Sequence, residues 1–375
     1  MGIRLVRVPV DDLEAFVNRA FLAMGLSDQE AGYCTAGLMS SELRCLPGQG
    51  QGVGRLSGYY DRISKGLYRP GTEMATIKES PALALVDAKM VMGSVVGQEA
   101  MSIAVDKAKA CGIGACVVFN STHFGSSGYH ARRALDADCI GIAITNAGAE
   151  MAPWGGTSPR VGTNPWGMAA PSGGDFPVVL DIALTTAGKG MMRWHEREGR
   201  TMPRDWALTP EGLETDDPSA AMAGALLGIG QYKGYGLSLF SDILTGVISG
   251  GGFGLAPYQD RSIAKLDVAH TFIAIDIAWF MPVEAFKARM DVFIAEIKSS
   301  ELRPGFDEIL VPGEIDHRRE QAYRRDGAHL DAQVYEGLRQ LADTLGIAFL
   351  SPHPKAYAPS VPRLTGDASH KEGGA

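Results

Sequence analysis

The chain of 375 residues contains no G-x-G-x-x-G turn. A Rossmann-type dinucleotide cradle, with its strand-to-helix glycine turn, is therefore not signalled. The nearest approach to a phosphate loop is T-T-A-G-K-G at 185–190, but Ala183 occupies its first glycine position. Gly190 stands where a serine or threonine would hold magnesium, which argues against a nucleoside triphosphatase. There is no G-x-S-x-G elbow, and Ser121 near His123 is not a hydrolase triad. The eight histidines form no H-x-x-x-H pair, so a metal enzyme is not expected. Five cysteines (Cys34, Cys45, Cys111, Cys116, Cys139) show no C-x-x-C spacing and read as free thiols of a reducing cytoplasm. No basic block offsets the net charge of −8, which excludes a nucleic-acid or anionic-membrane surface. The most apolar late stretch, 234–256, is broken by Asp242 and by glycines and is not a membrane span. The first residues, M-G-I-R-L-V-R-V, lack a signal-peptide core and a myristoylation serine or threonine.

What is present is an alternation of strand and helix patterns. Residues 11–25 carry apolar side chains at helical spacing and end at Gly25. Ser27 with Glu30 is a capping box opening a second helix that runs to about Leu43. From residue 82 the pattern becomes strand (82–88), helix (95–111), strand (114–120), helix (126–137) and strand (139–146). Residues 150–175, rich in Gly, Pro, Ser and Thr, read as a functional loop region. Strands at 176–183 and 270–277 and helices at 236–250, 283–298 and 331–345 follow. The alternation predicts an α/β fold. It divides into a helical segment with a substrate loop (1–75), an α/β core (76–316), a helical segment (317–350) and a Pro-rich, then polar tail (351–375) expected to be disordered.

The strongest local signal is N-S-T-H-F-G-S-S-G-Y-H at 120–130, which follows a strand and opens a helix. Backbone N–H groups at such a turn attract phosphate, and its glycines let a ligand approach. His123 lies in the turn, within reach of a ligand, whereas His130 lies in the helix and reads as a surface or packing residue. V-G-T-N-P-W-G (161–167), K-G-Y-G (233–236) and L-V-P-G-E (310–314) are each weak alone: a turn cluster, a helix start and a strand ending in a turn.

Their order resembles the malate/L-lactate dehydrogenase family of the non-Rossmann type, which includes ureidoglycolate and sulfolactate dehydrogenases, diketogulonate reductases and piperideine-carboxylate reductases. The resemblance spans about residues 5–350. It rests on H-F-G (123–125), G-T-N-P (162–165), D-I-A-L-T (181–185), G-K (188–189), P-R-D-W-A (203–207), K-G-Y-G-L (233–237) and I-L-V-P-G-E (309–314). It implies a non-Rossmann dinucleotide-binding fold whose helical N- and C-terminal segments pack together. It also implies an NAD or NADP cofactor, a small carboxylate substrate and a homodimer. Carried over residue by residue, it implies cofactor contacts at His123, Phe124, Gly125, Ser126, Ser127, Asp181, Thr185, Thr186, Ala187, Lys233, Gly234, Pro312, Gly313 and Glu314. Thr163 falls on the substrate side, and no residue separates NADH from NADPH.

One stretch departs from the family. Relatives carry R-G-x-x-S-H-G-x-x-R, in which a Ser-His pair supplies the proton and the downstream arginine holds the substrate carboxylate. Here 44–56 reads R-C-L-P-G-Q-G-Q-G-V-G-R-L. Arg55 keeps the clamp, while Gly50 and Gln51 replace the pair. A glutamine amide donates a hydrogen bond but delivers no proton at pH 7. Arg44 is a second possible grip, or equally a helix-end cation. Three expectations stay open. The substrate brings its own proton, as a cyclic imine does; or His123 is the acid; or the chain binds cofactor in a specialised, regulatory or structural role.

Overall fold

The first helix forms because Leu13, Phe16, Val17, Ala20 and Phe21 share one face, all fully buried. In the computed structural model, which describes residues 5–44, 52–256 and 267–350, it spans Val10–Ala23 (α1) after a first strand, Leu5–Val8 (β1). Pro9 is its N-cap, and Asp11 and Asp12 lie in its first turn. The capping box is formed: Glu30 Oε2 accepts from Ser27 N at 2.9 Å, and Ser27 Oγ accepts from Glu30 N at 3.3 Å. It opens Asp28–Arg44 (α2), which is followed by a 3-10 turn at Val53–Arg55 and by Leu56–Ser64 (α3).

The central elements are Ala75–Glu79 (β2), Leu83–Asp87 (β3), Gly93–Cys111 (α4), Ile113–Ser121 (β4), Ser127–Arg132 (α5), Cys139–Thr145 (β5), Trp166–Ala170 (β6) and Val178–Ile182 (β7). Next come Lys189–Glu198 (α6), Ala207–Leu208 (β8), Pro218–Ala223 (α7), Ala225–Leu226 (β9), Tyr232–Asp242 (α8) and Val268–Asp276 (β10). The chain closes with Val283–Lys298 (α9), Glu314–Asp326 (α10), Ala328–Asp331 (β11) and Ala332–Leu345 (α11).

Seven strands make one mixed sheet in the order β2-β3-β4-β10-β5-β6-β7. Only β3 and β4 pair in parallel. A separate antiparallel pair, β1 with β11, joins the N-terminal segment to the C-terminal one. The apolar faces of α1, α2, α4, α11 and the sheet share one core.

Several expectations change. The loop region 150–175 contains β6, and Met151 bridges Val161. The apolar helix near 236–250 starts earlier and passes through a π-helical turn at Ile243–Val247. Residues 310–314 form no strand: Val179 N donates to Pro312 O at 3.0 Å, and Glu314 opens α10. Helix α10 is polar almost throughout, so apolar periodicity does not announce it. The tail from 351 and the Gly50-Gln51 pair lie outside the described residues. Among the described residues no helix is long and apolar enough to cross a membrane, and no group of three His, Cys, Asp or Glu could hold a metal.

Candidate active site

The registers bring one end of the sheet together. Strands β4, β5 and β7 finish there, while β10 and β6 begin there. The segments 120–127, 146–165 and 183–187 therefore share that edge. In open α/β sheets, ligands bind in crevices beyond such strand ends.

His123 follows β4. Its Nδ1 lies 3.0 Å from the Tyr59 hydroxyl, and its backbone N–H donates to the Tyr68 hydroxyl at 3.4 Å. Tyr59 sits one turn beyond Arg55 at the start of α3, so both belong to the same helix face. The half-buried His123 holds its pKa well below 6.5, first by burial and then by the positive charges of Arg55 and Arg62. Its imidazole is thus neutral at pH 7, with one nitrogen set against Tyr59. Burial raises the Tyr59 hydroxyl far above its ordinary value of 10, keeping it protonated. Arg55, Tyr59, Tyr68 and His123 form the first cluster. Neither tyrosine was singled out from sequence. The available signal was the Arg55–Tyr59 spacing of four on a helix.

The second cluster lies beside Ser126. This residue caps α5, and its hydroxyl donates to Asp181 on β7. The turn at Pro312-Gly313 packs on β7; Gly313 has φ +87°, and a Cβ there would meet Val179 Cβ and O at 2.9 Å. The position therefore needs glycine. Arg44 donates to Glu320 Oε2 at 2.9 Å and to Gly313 O at 3.5 Å. Its guanidinium ties α2 to α10 through these bonds. Glu314 is also committed. Its carboxylate, 2% exposed, accepts from Lys298 at 2.6 Å, from Arg318 at 2.5 Å and from Val311 N at 3.3 Å. These bonds make the side chain a cross-link between α9, α10 and the turn before it.

The third cluster joins G-T-N-P to the helix start. Thr163 O accepts from Leu184 N at 2.8 Å. Buried Asn164 accepts from Ala147 N at 2.8 Å and donates to Ser238 O at 2.9 Å. Thr185 bridges Gly228, and Thr186 Oγ1 donates to Gly228 O at 3.3 Å. Gly234 N donates to Ile229 O at 2.8 Å and Ile229 N donates to Leu184 O at 3.0 Å, so the start of α8 sits against Leu184, next to Thr185. Lys233 is exposed there; its backbone N–H donates to Gly230 O at 3.3 Å, and its ammonium makes no hydrogen bond or ion pair among the described residues. The Thr185 hydroxyl is buried without a partner among the described residues. An unsatisfied buried hydroxyl costs roughly 1–3 kcal/mol, and a polar ligand would relieve that cost.

Comparison with known proteins adds to this geometry. A family model described as malate/L-lactate dehydrogenase matches residues 8–339. The chain is 36% identical to a malate dehydrogenase of Pyrococcus horikoshii over 351 residues, covering 91% of this chain and 96% of the relative. It is 37% identical to an L-sulfolactate dehydrogenase of Methanocaldococcus jannaschii over 302 residues, covering 79% and 85%. The crystal structure of a malate dehydrogenase from Entamoeba histolytica superposes with a TM-score of 0.88 at 29% identity, covering 92% of this chain and 99% of that one. A Δ1-piperideine-2-carboxylate reductase from Pseudomonas syringae shares the fold at a TM-score of 0.78 and 23% identity, covering 90% and 99%.

Proposed function

Because the chain belongs to the malate/L-lactate dehydrogenase family, we propose that it is an NAD(P)H-dependent oxidoreductase acting at C2 of a small 2-oxo or cyclic 2-imino carboxylate. The observation that carries this reading is a neutral His123, held by Tyr59 beside Arg55.

The residues present suit a dinucleotide. The unpartnered Thr185 hydroxyl, the exposed Lys233 and the Ser126–Asp181 pair border one sheet edge. In this reading the Lys233 ammonium faces the pyrophosphate. When bound, the reduced nicotinamide supplies the hydride. Arg55 holds the substrate carboxylate through charge-assisted bonds, which fixes C2 and its oxygen. His123 is then the group that moves the proton. In the oxidising direction it accepts a proton from a 2-hydroxyl, for which its unprotonated state leaves it available. In the reducing direction it must first be protonated. A carboxylate seated on Arg55 offsets the charge that disfavours that proton. A protonated imine needs less help, since accepting hydride leaves a neutral amine.

The test is oxidation of NADH and NADPH, followed by absorbance, against 2-oxo acids (pyruvate, oxaloacetate) and cyclic 2-imino acids. Turnover on 2-oxo acids that is lost in His123→Ala assigns the acid role to His123. Turnover on imines alone assigns the proton to the substrate. Silence in both panels, with dinucleotide still bound, rejects the oxidoreductase reading for these substrates.

The protein also forms a homodimer in this reading. One face of α8 and the π-helical turn exposes Leu237, Phe240, Leu244, Val247 and Ile248, with Phe240 60% and Ile248 63% exposed. A contiguous apolar stripe of this kind marks an interaction surface, and a second copy presenting the same stripe covers it by two-fold symmetry. Light scattering should give a dimer for the wild type and a monomer for the double variant Phe240→Asp, Ile248→Asp. A monomeric wild type would reject the assignment.

A further inference from the structure

We propose that His270 and His130 are positioning residues for His123, acting through Phe124. The inference builds on the role given to His123 above. Phe124 is 2% exposed and follows His123 directly. His270 stacks on its ring at 4.5 Å between centroids with the planes 1° apart, and His130 stacks at 4.6 Å and 29°. Both imidazoles are fully buried.

Hydrogen bonds hold both rings. His270 Nδ1 lies 2.7 Å from Thr145 Oγ1, and Nε2 lies 2.8 Å from Ser121 Oγ. The Thr145 hydroxyl also reaches the carbonyls of Asn146 and Ala269, at 3.0 and 3.3 Å. Both hydroxyls donate or accept, so the ring is held through both nitrogens in either neutral tautomer. His130 Nε2 lies 2.8 Å from Phe124 O; a carbonyl only accepts, so Nε2 carries the proton. Its Nδ1 lone pair is buried with no partner. That ring fits only because residue 97 is glycine: a Cβ there would lie 2.3 Å from it.

Segment 121–124 is thus held residue by residue. Ser121 is bonded to His270, and Thr122 Oγ1 accepts from Gly93 N at 2.7 Å and donates to Val91 O at 3.1 Å. Phe124 is held by its carbonyl and by its ring. His123 is left with side-chain rotation alone, and Tyr59 restricts that. Burial keeps both rings neutral, depressing His130 to about 4 and His270 to about 3. Small displacements of a reacting group cost large rate factors, on the order of 100-fold for 1 Å.

The experiment is His270→Phe in the full chain. This variant keeps a flat ring against Phe124 and loses both hydrogen bonds. Nitrogen NMR of the imidazoles reads the His123 tautomer, and steady-state kinetics separate kcat from KM. The expected result is a His123 signal that loses its single tautomer, a kcat lowered about 10-fold or more, and substrate KM changed less than about threefold. A folded variant with an unmoved His123 signal overturns the proposal, whether or not kcat falls, because a fall without it is general loosening. If His270→Phe does not fold, Ser121→Ala removes one bond with the ring in place and is read the same way, with a smaller kcat loss. The NMR signal decides the positioning claim without turnover. Turnover by His123→Ala decides the catalytic reading separately.

Discussion

Replacing Arg55 with alanine should lower kcat/KM for a carboxylate substrate by about 30- to 4,000-fold. Truncating one partner of a buried hydrogen-bonded charge pair costs about 2–5 kcal/mol, at 1.4 kcal/mol per decade. Dinucleotide affinity, read by fluorescence, should hold, since Arg55 lies in the His123 cluster and away from the Ser126 and Thr185 clusters. A second change distinguishes the clamp from a merely structural arginine. Arg55 is one of the charges that depress His123, so its loss should raise the His123 pKa and move the acid limb of the pH–rate profile to higher pH. The stability sign follows. In the wild type the folded pKa lies below 6.5, so the unfolded chain binds more protons under that value. Stability is full above about 6.5 and falls as the pH drops towards the folded pKa. In Arg55→Ala that acid loss should shrink. Unchanged turnover together with an unshifted acid limb would remove Arg55 from the site.

His123→Ala should lower kcat by about 10²- to 10⁴-fold, the usual contribution of a positioned general acid or base. Because the side chain is lost while Tyr59 and Arg55 remain, substrate KM should move much less than kcat. Added imidazole should restore part of the rate, as the cavity left between Tyr59 and the substrate can admit a small base. On cyclic imines the loss should be smaller than on 2-oxo acids, since the substrate carries its proton. A variant with wild-type kcat on both panels would show that another group moves the proton.

The two predictions rest on residues of different legibility. Arg55 and His123 stood out in the sequence because their neighbours form motifs: V-G-R-L after a glycine-rich stretch, and H-F-G between strand and helix. Tyr59 and Tyr68 did not, because a tyrosine on an amphipathic helix or in a turn reads as packing until a partner is seen across the fold. Asp181 and Ser126 are 55 residues apart and meet only because β7 lies beside α5. Arg44 and Glu314 were legible as charges, but their partners were not. Each is bound to a residue of α10 or α9, and ion pairing across distant segments leaves no spacing signal.

By itself the sequence determined the elements that carry their own apolar periodicity and capping, because those signals are local. Ser27 with Glu30, the run 95–111 before Gly112 and the apolar strand 139–146 all appear where local physics puts them. It also determined the family, since seven motifs in one order are carried by the chain alone. The tertiary structure decided which motifs share an edge, through a mixed sheet whose order β2-β3-β4-β10-β5-β6-β7 no local pattern encodes. It decided too that His130 and His270 lie with Phe124 in the interior, neutral and paired. Burial and electrostatic environment are properties of neighbours brought from far along the chain, and only folding supplies those neighbours.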